Sequence, residues 1–171
     1  MSLFERLFRR PDPRETMRPL YDALVCRGRA VHWYVEGAVP DTLDGRFDMI
    51  AAVLSLVLLR LERADMRHES VWLTELFVED MEGQLRQIGI GDVVVGKHVG
   101  RMMGALGGRL AAYREGLEGD GDFRAALARN LYRGEPVADA ALDDVERRLR
   151  HFVQALGATS TSALLVGDLP Q

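Results

Sequence analysis

Apolar residues recur with the period of an α-helix along nearly the whole chain, whereas the alternation typical of strands is scarce. Turn-rich stretches, among them "GAVPDTLDG" and "EGDGD", separate the periodic segments. The pattern therefore predicts an all-α fold, a single-domain helical bundle of about six helices with a short N-terminal amphipathic helix. The predicted helices span about 15–36, 42–64, 70–88, 92–117, 122–133 and 138–156.

The segment 42–64 has apolar residues on nearly every side. Phe47, Ile50, Leu54 and Leu58 form one stripe, and other aliphatic residues cover most of the remainder. A helix that is apolar all round belongs in the middle of a bundle. Its longest apolar run, 49–59, is about half of what a membrane-spanning helix requires. Asp41 or Thr42 is the expected N-cap, because either side chain can accept a hydrogen bond from a free amide of the first turn.

Three regions are expected along the chain: an N-terminal amphipathic arm (1–13), an all-helical domain (14–157) and a loose C-terminal tail (158–171). The arm shows no signal-peptide pattern. It combines an apolar face with three arginines, a composition that favours contact with an anionic membrane or with a partner. A flexible arm or a helix that covers the core is the favoured interpretation of the same pattern. The candidate membrane-contact residues are Leu3, Phe4, Leu7 and Phe8.

The stretch "GDVVVGKHVG" at 91–100 has the glycine and lysine spacing of a phosphate-binding loop. Such a loop follows a strand and carries Ser or Thr after the lysine. Here His98 follows Lys97, the preceding residues are helical in pattern, and the apolar period continues through the stretch. The residues therefore predict the start of a helix, with Gly89 as the left-handed stop of the helix before it.

Four glycines recur every four residues in that helix, at Gly96, Gly100, Gly104 and Gly108. A glycine in a helix interior costs about 1 kcal/mol relative to alanine, so the repeat requires an explanation. A helix side without side chains lets another helix approach closely. Two interpretations fit: close packing within the domain, or a docking groove for a partner segment.

Composition excludes several function classes. The net charge of −4 and the pI near 5.6 argue against general binding of nucleic acids, so no DNA is expected as a partner. The single cysteine, Cys26, cannot form an internal disulfide. The histidines lack the helical spacing of metal ligands, so neither a metal nor another cofactor is expected. An enzyme built around Cys26 or around the acidic residues near Glu79 is the less favoured alternative.

Several motifs together resemble the ubiquinol–cytochrome c chaperone family. The similarity runs from about 20 to 117 and continues more weakly to 156. Its most specific pieces are "VPDTLDGRFDM", "EDMEGQLRQIGIGD" and "GRLAAY". The resemblance implies an all-helical, non-catalytic chaperone that assists assembly of the cytochrome bc1 complex. It also implies newly made cytochrome b as the client, held near the ribosome exit and the inner membrane until haem acquisition and assembly proceed. No family catalytic residues transfer to this chain.

On this basis we expect the protein to be cytoplasmic or peripheral on the inner face of the cytoplasmic membrane. An aromatic rim, a set of cations and the glycine side of one helix are the candidate client-binding features, although for each cation taken alone a structural salt bridge or a solvated charge is the favoured interpretation. The alternative function is a membrane-surface adaptor that does not hold a client. The candidate residues are Trp33, Tyr34, Arg46, Arg86, Lys97, Gly100, Arg101, Met103, Gly104, Gly108 and Arg109.

Overall fold

The computed structural model describes residues 12–87, 89 and 91–170, without the side chains of 92 and 93. A 3-10 turn at Pro13–Met17 leads into the helical domain. No strand occurs in the described residues, which confirms the predicted all-α bundle. The α-helices are α1 (Arg18–Gly28), α2 (His32–Val35), α3 (Leu43–Arg63), α4 (Arg67–Gln87), α5 (Asp92–Glu118), α6 (Phe123–Leu131), α7 (Asp139–Ala158) and α8 (Thr161–Leu165).

Helix α3 forms the centre of the bundle, as its pattern predicts. Every residue from 48 to 59 is buried, and so is Leu61. The helix contacts α1, α4, α5, α6 and α7. These neighbours surround α3 because its apolar residues point in all directions and each must leave water.

The start of α3 is fixed by a cap and by a close backbone contact. The Thr42 side chain accepts a hydrogen bond from the Gly45 amide at 3.1 Å, so Thr42 is the N-cap. A Cβ atom at Gly45 would lie 1.9 Å from the Pro40 carbonyl oxygen. The chain therefore turns into α3 at a position where only glycine fits.

Substitution of Gly45 by alanine is expected to lower the free energy of unfolding by about 1–3 kcal/mol, because the backbone must move to relieve the overlap. Gly83, on α4, is the matched control because a Cβ there meets no atom within 4 Å. Gly83→Ala should raise stability by up to about 1 kcal/mol. Urea unfolding of both variants measures the difference; equal stabilities would show that the contact with Pro40 is not rigid.

The C-terminal segment is packed, which corrects the expectation of a loose tail. Helix α7 continues through Gly157 to Ala158, and α8 follows directly. Leu164 is fully buried, and Leu169 is nearly so. Gly167, at φ +85°, lies so close to Pro19 that a Cβ would be 2.7 Å from the Pro19 carbonyl oxygen. The tail thus packs against α1. The spacing of its few apolar residues does not predict this contact.

The connection between α4 and α5 shows the predicted left-handed stop: α4 ends at Gln87, and Gly89 has φ +84°. Among the described helices, none is long and apolar enough to cross a bilayer. The predicted membrane-contact residues Leu3, Phe4, Leu7 and Phe8 lie outside the described residues.

Candidate partner-binding surface

The glycine repeat lies on the outward face of α5. Gly96, Gly100, Gly104 and Gly108 are all exposed, and a Cβ atom at any of them would meet no atom of the described residues within 4 Å. The interpretation of close packing within the domain is therefore wrong. The glycines instead form part of a surface that also includes Lys97, Arg101, Ala105, Gly107 and Ala111, all of them exposed. We call these nine residues the α5 outer face.

The opposite side of α5 holds the helix against the bundle. Val95, Leu106, Arg109 and Tyr113 are buried on that side. Met102 and Met103 lie at the margins, half-buried against the core. Because Gly96 and Lys97 lie well inside a helix that begins at Asp92, a phosphate-binding loop is excluded. The N-cap of α5 is Gly91, whereas Asp92 is the first helical residue.

The α5 outer face is free of carboxylates and carries two cations. No Asp or Glu occurs between Asp92 and Glu115, although the protein as a whole has a net charge of −4. Lys97 and Arg101 form no ion pair with any described residue. The face therefore combines small, apolar residues with a positive charge that is not neutralised within the described part of the molecule.

Arg109, another candidate cation, is buried and cannot meet a partner. It is 5% exposed and forms an ion pair with Asp48, whose own exposure is 1%. Asp48 also accepts a hydrogen bond from Arg133 Nε at 2.7 Å, and Arg133 reaches Asp44 at 2.7 Å. Arg109 Nη2 further donates to the Asn130 carbonyl at 3.3 Å. The residue joins α5 to α3 and α6 and has a structural function.

The predicted aromatic rim does not form. Trp33 is fully buried, and its indole N–H donates to the Arg27 carbonyl at 2.8 Å. Tyr34 is half-buried and donates to the Gly28 carbonyl at 2.7 Å. Burial raises the pKa of the Tyr34 hydroxyl, so this group remains a donor at neutral pH. The two aromatic residues fasten the break between α1 and α2.

The remaining candidate cations form exposed ion pairs. Arg46 Nε contacts Asp41 at 2.6 Å, and Arg86 Nη2 contacts Glu82 at 3.2 Å. Both arginines remain about half exposed. Neither residue belongs to the α5 outer face.

The residues considered for catalysis do not form a recognisable active site. Cys26 is exposed and lines a groove of about 820 Å³ between α1 and α4 that also contains Glu79 and Asp80. Asp80 accepts a hydrogen bond from the Tyr21 hydroxyl at 2.7 Å, and burial raises the pKa of Tyr21. No histidine lines this groove in the described structure. Within the same residues, no group of three or more His, Cys, Asp or Glu side chains is placed to hold a metal ion.

Comparison with known proteins decides the family. The model of the family described as ubiquinol-cytochrome C chaperone matches residues 36–170. The chain belongs to this family. The crystal structure of the Cbp3 homolog from Brucella abortus is similar to this chaperone at 26% sequence identity, with a TM-score of 0.78. The similarity covers 98% of this chain and 95% of the other. The comparison with curated proteins gave no match.

The motifs that carried the resemblance prove to be largely structural in this chaperone. "VPDTLDGRFDM" supplies the cap Thr42, the close contact at Gly45 and the buried Asp48, and "GRLAAY" supplies Arg109 and Tyr113. Asp48 of the first motif and Arg109 of the second are 61 residues apart in sequence, and their side chains form an ion pair. Sequence reasoning assigned Arg109 to a surface because the buried carboxylate that neutralises it comes from a distant helix.

Proposed function

We propose that this chaperone binds newly made cytochrome b, without catalysis, and holds it on the α5 outer face until the cytochrome bc1 complex assembles. The observation that carries the proposal is the outward orientation of the glycine repeat. Each glycine costs helix stability, and no described residue lies close enough above it to require the absence of a side chain. Binding a partner at close range provides a reason for the repeat.

The chemistry of the α5 outer face suits an apolar helix of a membrane protein. Small residues let two helix backbones approach closely, and van der Waals contact over the length of the helices then provides the attraction. The half-buried Met102 and Met103 border the face. Methionine side chains adapt to differently shaped apolar partners, as a chaperone for several helices of one client requires.

The two cations of the face are consistent with binding near a membrane. Lys97 and Arg101 are free to meet acidic groups of the client or anionic lipid head groups. A client that is inserted as it is made would bring the chaperone to the ribosome exit region and to the inner face of the membrane. Peripheral association with the membrane then follows from binding the client and needs no membrane-spanning helix.

The proposal is tested by purifying the tagged chaperone from its own membranes and quantifying cytochrome b by mass spectrometry. Gly104→Leu places a bulky side chain in the middle of the face and is expected to reduce recovery at least about tenfold, which corresponds to about 1.4 kcal/mol of binding. Gly157→Leu is the matched control, because Gly157 is also an exposed helical glycine with open space above it. Circular dichroism verifies that both variants are folded.

Three results distinguish the possibilities. Loss of cytochrome b in Gly104→Leu alone supports the α5 outer face. Equal recovery in all forms places the client surface elsewhere. Absence of cytochrome b with the wild-type protein contradicts the proposed client.

A further inference from the structure

A second exposed apolar surface lies at the opening of α2. Val31 and Val35 are 71% and 69% exposed, and they lie four residues apart. Both line a concavity of about 330 Å³ together with Tyr34, Arg29, Asp41 and Arg46. Single exposed aliphatic residues are ordinary, but two that line the same concavity form a patch. We call these six residues the valine platform.

The valines are held outward by contacts on the other side of the same turn. Trp33, between them in sequence, is fully buried, and Tyr34 is tied to the end of α1 by its hydrogen bond to Gly28. On the far side, the Tyr132 hydroxyl donates to the Gly37 carbonyl at 2.5 Å. With both ends anchored, the turn cannot rotate to bury the valines. A surface that is rigid before binding loses little entropy when a partner docks.

Two guanidinium groups with unpaired N–H donors lie beside the two valines. Arg29 is exposed, and its guanidinium group has no hydrogen bond or ion pair with a described residue. Arg46 contacts Asp41 through Nε, and its two terminal nitrogens make no hydrogen bond to the described residues. Asp41 is neutralised by that contact, so the platform presents a net positive edge from Arg29. A carboxylate is the group that a guanidinium fork binds best among protein side chains.

We infer that the valine platform docks a segment of a partner protein in which an apolar side chain stands next to a carboxylate. The concavity is at the small end of ligand pockets, which span about 300–1,000 Å³. It therefore accommodates one or two side chains rather than a whole helix. The apolar side chain covers Val31 and Val35, and the carboxylate binds Arg29. This inference concerns residues outside the α5 outer face and does not rest on the cytochrome b proposal.

Methyl NMR of valine-labelled protein tests the inference with two short probe peptides. The acidic probe is acetyl-Asp-Leu-Leu-Asp-amide, and the basic probe is acetyl-Lys-Leu-Leu-Lys-amide. The acidic probe should shift the methyl signals of Val31 and Val35 at millimolar concentration, while the buried Val57 stays unchanged. The basic probe should leave all three unchanged.

Two charge reversals sharpen the test. Arg29→Glu should weaken binding of the acidic probe at least about tenfold, which corresponds to about 1.4 kcal/mol. Arg129→Glu is the matched control, because Arg129 is exposed and has no ion-pair partner in the described structure. Unchanged core methyl signals verify the fold of each variant.

Other outcomes overturn the inference. Absence of any shift, or equal shifts with both peptides, excludes a site for an acidic segment. Binding to anionic vesicles that shifts the same methyl signals, with no response to the acidic peptide, identifies the platform as a lipid contact instead.

Discussion

Substitution of Arg109 by methionine is expected to lower the free energy of unfolding by about 3–5 kcal/mol, the usual cost of removing one partner of a buried ion pair. Asp48 would remain buried with Arg133 as its only cationic partner, and the tie from α5 to α3 would be lost. Methionine fills similar space, so the loss reports the charge rather than a cavity. Urea unfolding followed by circular dichroism measures the change.

An exposed pair provides the control for this prediction. Arg46→Met removes the partner of Asp41 at a position where water solvates both groups, and such pairs contribute little. Its midpoint should lie close to that of the wild-type protein. The double variant Arg109→Met with Asp48→Leu should recover part of the stability lost in Arg109→Met, because no buried carboxylate is left uncompensated. If Arg109→Met is no less stable than Arg46→Met, the pair does not hold α5 in place.

The second large effect is a gain in stability. Replacing Gly96, Gly100, Gly104 and Gly108 together by alanine is expected to raise the free energy of unfolding by about 2–4 kcal/mol, since each change removes backbone entropy from the unfolded chain. Open space at all four positions lets the methyl groups point into water without overlap. For a protein of this size, the gain corresponds to a rise in Tm of roughly 5–15 °C.

The same variant separates stability from function. Four methyl groups would hold a docking helix farther from the backbone of α5. A client that packs against that backbone should therefore bind more weakly, although the chaperone is more stable. Thermal unfolding and the recovery of cytochrome b are measured on the same preparation. Greater stability with unchanged recovery would show that the glycines do not serve close approach. Absence of any gain would show that the glycines are required by the helix itself.

Features that depend on neighbours in sequence are correctly predicted. The all-round apolar pattern places α3 at the centre, Thr42 caps it, and Gly89 has the left-handed conformation expected at the end of a helix. The prediction that the stretch 91–100 does not form a phosphate-binding loop is also confirmed. It could be made from the sequence because the helical period and the residue after Lys97 are both local properties. In each case the hydrogen bonds or the period concerned involve residues within a few positions of one another.

Other features depend on which surfaces meet. Arg109 and Trp33 carry polar groups that suggest a surface, yet both are buried: Arg109 Nη2 is paired with Asp48, and the Trp33 indole N–H donates to the Arg27 carbonyl. The glycine repeat does not predict which side of α5 faces water, because a helix side without Cβ atoms is compatible with close packing and with exposure to solvent.

The sequence by itself thus determined the all-α fold, the order of the longer helices and the family to which the chaperone belongs, because period, capping and motif depend on adjacent residues. Only the tertiary structure decided that Arg109 is internal, that the glycines point outward, that the C-terminal segment packs against α1 and that Val31 and Val35 are held in solvent. Each of these features depends on contacts between distant parts of the chain. The free energies of such contacts are as large as those of the local preferences, and they decide the conformation wherever the surfaces fit.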